Sequence, residues 1–168
     1  MTDPRVRRAA LADAEAICHV HHASVRSLCA AAYTPADIEA WVGWRTPANY
    51  KVLIRGTVFL VAEVGEGVAG FGVLSVGGGG DLHALYVHPD HVGRGVGSAL
   101  LAALEAEACR AGLAGIALNA TLNSVSFYAR HGYASRGATT NVLPNGVALP
   151  CVRMDRRLAV GSDAARSP

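Results

Sequence analysis

The chain has 168 residues, of which 51% are hydrophobic and 17% charged, and this composition predicts one globular domain with a full core. Its formal net charge of +2 comes from scattered basic residues, which argues against a nucleic-acid or polybasic membrane partner. The sequence contains no stretch of the ~20 apolar residues that a membrane span needs. We therefore expect a cytoplasmic protein with no membrane partner and no nucleic-acid partner.

The sequence predicts no metal site, no disulfide framework and no signal peptide. The four cysteines lie far apart without a Cys-x-x-Cys pair. The N-terminus lacks the apolar core of a signal peptide, and we expect the domain to span residues 1–160, with 161–168 as a disordered tail. Two groups of histidines lack the spacing of a known metal site: His19, His21 and His22, and His83, His88 and His91.

The first part of the chain reads as a short strand and two helices. Residues 6–9 predict the strand, and Asp13 follows it as the cap of a helix with apolar positions at helical spacing. The run Thr34-Pro35-Ala36-Asp37 predicts a second helix start, because it combines a cap, a proline in the first turn and an acid three residues after the cap.

The remainder reads as strands and helices in alternation. Residues 57–64 and 68–76 are β-branched runs joined by Gly65-Glu66-Gly67, which predicts a hairpin. Further strands are predicted at 81–87, 115–119, 133–138 and 147–154, and helices at 95–111 and 123–131. The helix at 95–111 carries an apolar stripe at three-to-four spacing, namely Val96, Leu100, Leu104 and Ala108.

A glycine-spaced turn lies between the strand at 81–87 and the helix that follows it. Gly93, Gly95 and Gly97 alternate, so the backbone can bend tightly and bring several N–H groups close to one anion. The helix adds the positive end of its dipole and its unpaired amides. Such a turn can also merely change the chain direction, but its position between an apolar strand and an apolar-striped helix favours a phosphate site.

Three motifs together resemble the GNAT superfamily of acetyl-CoA-dependent N-acetyltransferases, over about residues 5–158. They are Leu85-Tyr86-Val87-x-Pro89, Gly93-x-Gly95-x-Gly97 and Phe127-Tyr128-x-x-x-Gly132-Tyr133. The resemblance implies an α+β fold, a mixed β-sheet flanked by helices. It also implies that the fourth strand splays from the fifth, here 81–87 and 115–119, and that the pantetheine arm of acetyl-CoA lies in the gap.

The resemblance further implies acetyl-CoA as cosubstrate, no metal, and a set of cofactor-binding residues. Two positions depart from the family pattern: Val92 stands where Gln or Arg is usual, and Asn123 lies five residues before Tyr128, where many members have an Asn seven before it. Asn123 therefore reads either as a cofactor contact or as a helix cap. The expected cofactor-binding residues are Leu85, Tyr86, Val87, Gly93, Arg94, Gly95, Val96, Gly97, Ser98 and Asn123.

Acetyl transfer to an amine needs an acid for the departing thiolate and a neutral amine. Tyr128 is the expected acid, because a phenol with a pKa near ~10 stays protonated while a thiolate with a pKa near ~8.5 forms; otherwise it is an aromatic core residue. Asp81 matches the position of a glutamate base in some members, and a histidine such as His83 has an unperturbed pKa near ~6.5, close to working pH. Strand alternation predicts that both share a face with Leu85. Asp81 and His83 are each equally consistent with a purely structural role. If the substrate amine arrives uncharged, no protein base is needed.

The expected function is transfer of acetyl from acetyl-CoA to a primary amine of a small molecule or protein by direct attack on the thioester. The alternative is a non-catalytic acyl-CoA-binding module. A dinucleotide-binding oxidoreductase is disfavoured, because the turn is not Gly-x-Gly-x-x-Gly. A homodimer is left open. In the superfamily the segment that lines the acceptor pocket corresponds here to His22, Ser24, Tyr33, Trp41 and Trp44, although the two tryptophans also suit a plain core.

Overall fold

A seven-stranded mixed sheet organises residues 3–159, the part of the chain that the computed structural model describes. The tail predicted at 161–168 lies outside the described residues. The strand order is β1-β2-β3-β4-β5-β7-β6, and every neighbouring pair is antiparallel except the parallel pair β4–β5. The strands are Arg5–Arg8 (β1), Val58–Val64 (β2), Gly67–Ser75 (β3), Asp81–Val87 (β4), Gly115–Thr121 (β5), Ala134–Val142 (β6) and Ala148–Arg157 (β7).

Helices cover both faces of this sheet. The α+β class and the mixed sheet flanked by helices are thereby confirmed. The helices are Ala14–Leu28 (α1), Pro35–Gly43 (α2), Pro47–Gly56 (α3), Val96–Arg110 (α4) and Val125–Arg130 (α5), with short 3₁₀ turns at Leu11–Asp13 and Pro89–His91.

The apolar stripes of the helices form a core on each side of the sheet. α4 packs on β2, β3 and β4, and the four residues of its predicted stripe are all buried. α1 and α3 pack on the opposite face, where Tyr50 of α3 meets Phe59 and Phe71 of the sheet. A third cluster joins α2 to the connection between β6 and β7, through Trp41 and Leu143. These clusters hold both sides of β4 in place.

The helix starts follow from local capping. Thr34 Oγ1 accepts a hydrogen bond from the N–H of Asp37 (3.2 Å), and Asp37 Oδ2 accepts one from the N–H of Thr34 (3.2 Å), so the predicted start of α2 is confirmed. The helix α3 was not predicted, although Thr46-Pro47-Ala48-Asn49 repeats the same pattern. There the N–H of Thr46 donates to Asn49 Oδ1 (2.8 Å).

The two central strands β4 and β5 separate after a short pairing. Asp81 is opposite Ala117 and Leu82 is opposite Leu118, and beyond these two pairs the strands are not bonded to each other. The expected splay of the fourth and fifth strands is therefore confirmed. Along a strand, the main-chain N–H and C=O groups point alternately to the strand on one side and to the strand on the other. After Leu82, the main-chain groups of β4 that face β5 therefore have no hydrogen-bond partner on β5.

A β-bulge at His83 breaks the alternation that the sequence predicts for β4. Val73 of β3 is opposite Ala84 and the next residue, Leu74, is opposite Leu82, so that His83 is the extra residue. In consequence Leu82 packs in the same cluster as Leu85, on the face of α4. The prediction that Asp81, His83 and Leu85 share one face of β4 is wrong. The extra residue of the bulge moves the side chains that follow it to the opposite face of the strand.

Candidate active site

The gap between β4 and β5 is a cleft of about 220 Å³. Leu85, Tyr86 and Val87 form its β4 wall, and Tyr128 of α5 lies on the opposite side. Asn123, which is exposed, also lines the cleft. The residue at the cap of α5 is Ser124, so the interpretation of Asn123 as a helix cap is wrong.

The glycine turn lies between the end of β4 and the start of α4. Gly93 and Gly95 have φ angles of +76° and +78°, which L side chains rarely adopt. The first main-chain bond of the helix runs from the N–H of Ala99 to the carbonyl of Gly95 (2.9 Å), so the N–H groups of residues 96–98 have no partner within the helix. A set of free amides and the positive helix end can hold a diphosphate here.

The other predicted residues of the turn differ in what they can offer. Val96 is buried in the core, so only its main chain can reach a ligand. Arg94 and Ser98 are exposed, and Ser98 Oγ lies 3.0 Å from His131 Nε2. At Gly97 an added Cβ would lie 3.3 Å from the ring of Phe127, which ties this position to close packing between α4 and α5.

Tyr128 combines a packed ring with an unused hydroxyl. The side chain is buried, and its ring packs against Phe127 and Tyr133 at centroid distances of 5.2 and 5.6 Å. Its hydroxyl makes no hydrogen bond to another side chain or to the backbone among residues 3–159. Burial raises the pKa of Tyr128 above its usual value, so the group is a protonated donor at the cleft.

The two candidate bases differ in the spaces that they line. His83 lines the cleft, and its Nε2 lies 2.7 Å from Ser75 Oγ. Asp81 lines neither the cleft nor the cavity on the other side of β4. Its Oδ1 is 3.4 Å from Nη2 of Arg153, in a polar pocket that His83 and Asn119 also line.

A second cavity of about 380 Å³ lies on the other side of β4. We call it the aromatic cavity, after the five aromatic residues on its wall. His83, Ala84 and Tyr86 line both this cavity and the cleft, so these three residues of β4 border both spaces next to the bulge. The aromatic residues are Trp41, Trp44, Tyr50, Phe71 and Tyr86.

The residues expected at an acceptor pocket are therefore only partly brought together. The tryptophans Trp41 and Trp44 line the aromatic cavity, and Ser24 lines the cleft. His22 lines neither space. Tyr33 is buried elsewhere, and its hydroxyl donates to the carbonyl of Pro150 (2.7 Å).

Comparison with known proteins agrees with this geometry. A family model described as an acetyltransferase (GNAT) domain matches residues 55–135. The structure of an N-acetyltransferase from Rhodopseudomonas palustris is 31% identical, with a TM-score of 0.87, and the match covers 94% of this chain and 98% of that one. The chain belongs to the GNAT superfamily of acetyltransferases. Its mixed sheet, with the parallel β4–β5 pair and helices on both faces, is that of a GNAT fold.

More distant GNAT structures share the same architecture. The PaiA N-acetyltransferase of Thermoplasma acidophilum, solved with coenzyme A, is 20% identical with a TM-score of 0.74, over 94% of this chain and 100% of that one. YncA of Salmonella typhimurium, solved with acetyl-CoA, is 24% identical with a TM-score of 0.63, over 99% of both chains. No match was found among curated proteins.

Two further features of the GNAT chain concern metals and membranes. Within residues 3–159 no three His, Cys, Asp or Glu side chains are grouped so that they could hold a metal ion. None of the helices in the same range combines the length and the apolar character that crossing a bilayer requires.

Several residues on the aromatic cavity of this GNAT protein escaped the sequence analysis. Arg45 lies just before α3 and Tyr50 lies near the start of that helix, which the sequence analysis did not predict. His21 was considered only as a metal ligand. The Thr-Pro-x-Asn pattern at 46–49 is the signal that would have revealed α3.

His21 is a buried, neutral imidazole on the cavity wall. The hydroxyl of Tyr50 lies 2.7 Å from its Nδ1, within hydrogen-bond distance. Burial, followed by the positive charge of Arg45 and by His22, lowers the pKa of His21 from 6.5 to about 3. The imidazole is therefore uncharged throughout the physiological range.

This lowered pKa makes stability fall in weak acid. Between pH 6.5 and about 3, His21 is protonated in the unfolded chain but not in the folded one, so the free energy of unfolding decreases as the pH falls. We expect a slope of up to about 1.4 kcal/mol per pH unit from this group, measured by urea unfolding between pH 7 and 5. His21→Gln should reduce that slope, whereas His19→Gln, at an exposed position, should keep it. An equal slope in all three proteins would contradict the assignment.

Proposed function

We propose that this GNAT protein transfers the acetyl group of acetyl-CoA to a primary amine of a small molecule or protein, by direct attack of the amine on the thioester. The observation that carries the proposal is the shared wall of the two spaces, formed by His83, Ala84 and Tyr86. A thioester in the cleft and an amine in the aromatic cavity would meet at this wall. The relatives solved with coenzyme A and acetyl-CoA support the choice of cosubstrate.

The cofactor is proposed to lie along β4, with its diphosphate on the glycine turn. Main-chain amides of residues 93–98, together with the N-terminus of α4, supply donors for the diphosphate. Leu85, Tyr86 and Val87 supply main-chain groups for the pantetheine arm, and Asn123 a side-chain amide. A main-chain N–H of β4 that points away from β3 and toward the cleft can donate to the thioester oxygen as negative charge develops there.

Two side chains are proposed to move protons. His83 accepts the proton of the amine, directly or through a water molecule, because it lines both spaces. Tyr128 donates its hydroxyl proton to the sulfur as the carbon–sulfur bond breaks and the carbon–nitrogen bond forms. Asp81 is the weaker candidate for the base, because its carboxylate is paired with Arg153 and lies outside both spaces.

The proposal is tested by incubating the purified protein with acetyl-CoA and a panel of primary amines. We expect acetylated amine and free coenzyme A in equal amounts, read by mass spectrometry, since four free cysteines in the chain would complicate a thiol reagent. Bound acetyl-CoA that is never consumed with any amine would favour an acyl-CoA-binding module instead.

The assignment of the base predicts different pH profiles for two variants. We expect His83→Gln to lower kcat/KM about 100-fold at neutral pH and to flatten the acidic limb of the profile. Asp81→Asn should leave the acidic limb of the profile unchanged, because Asp81 lines neither the cleft nor the aromatic cavity. The reverse result would assign the role to Asp81, and unchanged profiles in both variants would show that the amine reacts without a protein base.

A further inference from the structure

Arg45 places an unmatched positive charge on the wall of the aromatic cavity. Its side chain makes no ion pair and no hydrogen bond to any group in residues 3–159. The basic residues on that wall are His21, Arg45 and His83, and no carboxylate of the described chain lines it. By contrast, eight other arginines are paired with carboxylates: Arg5, Arg7, Arg8, Arg26, Arg110, Arg136, Arg153 and Arg156.

Aromatic rings hold the guanidinium in place. Its central carbon lies 4.0 Å from the ring centroid of Trp44 and 5.4 Å from that of Tyr50, which is the geometry of cation–π contacts. Arg45 Nε and Trp44 Nε1 are both buried without an acceptor among the described residues. The Nη1 and Nη2 atoms of the same guanidinium also have no hydrogen-bond partner among residues 3–159, but they are not among its buried atoms, so they are the donors that an acceptor from outside the chain can reach.

The charge balance narrows the chemistry of that acceptor. His21 is neutral, so Arg45 is the permanent charge of the wall and suits a single negative charge. A carboxylate matches the planar fork of a guanidinium. A phosphate dianion would call for more cations and donors, and a polyamine would need carboxylates on the wall. The aromatic rings suit an apolar body.

We propose that the acceptor is an amine that also carries a carboxylate on an apolar or aromatic body, with its carboxylate at Arg45. This inference rests on the proposed function, because it takes the aromatic cavity to be the entry of the amine. The path from Arg45 to the shared wall is short: the guanidinium is 5.4 Å from the Tyr50 ring, Tyr50 OH is 2.7 Å from His21 Nδ1, and the His21 and Tyr86 rings are 4.5 Å apart.

A binding experiment tests the carboxylate site without any catalysis. The chain has two tryptophans, and both line the aromatic cavity, so intrinsic fluorescence reports on this space. The probes are phenylacetate and phenylacetamide, which differ in charge but hardly in shape. We expect phenylacetate to bind about 10- to 100-fold more tightly, as for a charge-assisted hydrogen bond.

Variants at two arginines locate the origin of that preference. Arg45→Gln should bind acid and amide equally, and Arg45→Lys should keep part of the preference, because it keeps the charge but loses the planar fork. The matched control Arg55→Gln removes an exposed charge from α3 and should keep the full preference. Equal binding of both probes to the unmodified protein, or a preference that survives in Arg45→Gln, would overturn the proposal.

Turnover separates this proposal from the function on which it rests. With acetyl-CoA present, phenylalanine should be acetylated with a kcat/KM at least tenfold above that of phenylalaninamide, and Arg45→Gln should remove the difference through KM. Equal turnover of the two would overturn the carboxylate site and leave the acetyl transfer standing. A carboxylate preference in fluorescence with no acetylation of any amine would overturn the proposed function and support the carboxylate site.

Discussion

Replacing Gly95 by glutamate is expected to abolish binding of acetyl-CoA. Gly95 has a φ of +78°, so any L side chain strains the backbone there by about 1–2 kcal/mol. The new carboxylate would also stand beside the amides that are proposed to hold the diphosphate, and would repel that anion. We expect isothermal titration of coenzyme A into the variant to give no heat of binding, while the unmodified protein gives a saturating signal.

A glycine at the other end of α4 provides a control that distinguishes backbone strain from damage to the diphosphate site. Gly112 follows α4 with a φ of +74°, and an added Cβ would meet nothing within 4 Å. The 15 residues of α4 lie between it and Gly95, and their length is about 22 Å at 1.5 Å for each residue. Gly112→Glu should therefore cost similar stability and leave the affinity for coenzyme A unchanged. Equal affinities in the two variants would show that the glycine turn does not hold the diphosphate.

Removing one hydroxyl at Tyr128 is expected to lower turnover without weakening cofactor binding. The Tyr128→Phe variant keeps the packed ring but loses the proposed proton donor, so kcat should fall about 10²- to 10⁴-fold. The hydroxyl has no hydrogen bond within residues 3–159, so its loss leaves no partner unsatisfied. Acetyl-CoA affinity, measured by titration, should remain within about twofold.

Tyr133 provides the control for this substitution. Its ring packs on Tyr128 at 5.6 Å, but its hydroxyl donates to Glu105 Oε1 at 3.0 Å, and neither Tyr133 nor Glu105 lines the cleft. Tyr133→Phe should cost about 1 kcal/mol of stability and leave kcat unchanged. Similar losses of kcat in both variants would point to a disturbed aromatic cluster, and normal turnover by Tyr128→Phe would show that another group protonates the sulfur.

The elements that local signals encode were predictable from the sequence. β4 was predicted at the bounds that the structure shows, and the α4 stripe and the α2 cap are where the residue pattern places them. The glycine turn was readable for the same reason, because positive φ angles at Gly93 and Gly95 are a property of the local chain. The missed helix α3 also carried a local signal, at Thr46 and Pro47, so nothing in its chemistry prevented its prediction.

Features that depend on distant contacts were not predictable. The bulge at His83 is defined by its pairing with β3, and no residue type in β4 marks it. The aromatic cavity draws Trp41 from α2, Tyr50 from α3 and Asn141 from β6, elements that no single stretch of sequence shows to be neighbours. The buried position of His21, rather than His22, depends on how α1 is rotated against the sheet. These contacts decide which residues meet the acceptor.

The most direct test of the account is a crystal structure of the protein with coenzyme A. We predict that the diphosphate accepts hydrogen bonds from main-chain amides of residues 93–98, and that the sulfur lies in the cleft between β4 and β5 next to Tyr128. A diphosphate bound away from the turn, or a cleft that stays closed with the ligand elsewhere, would contradict it.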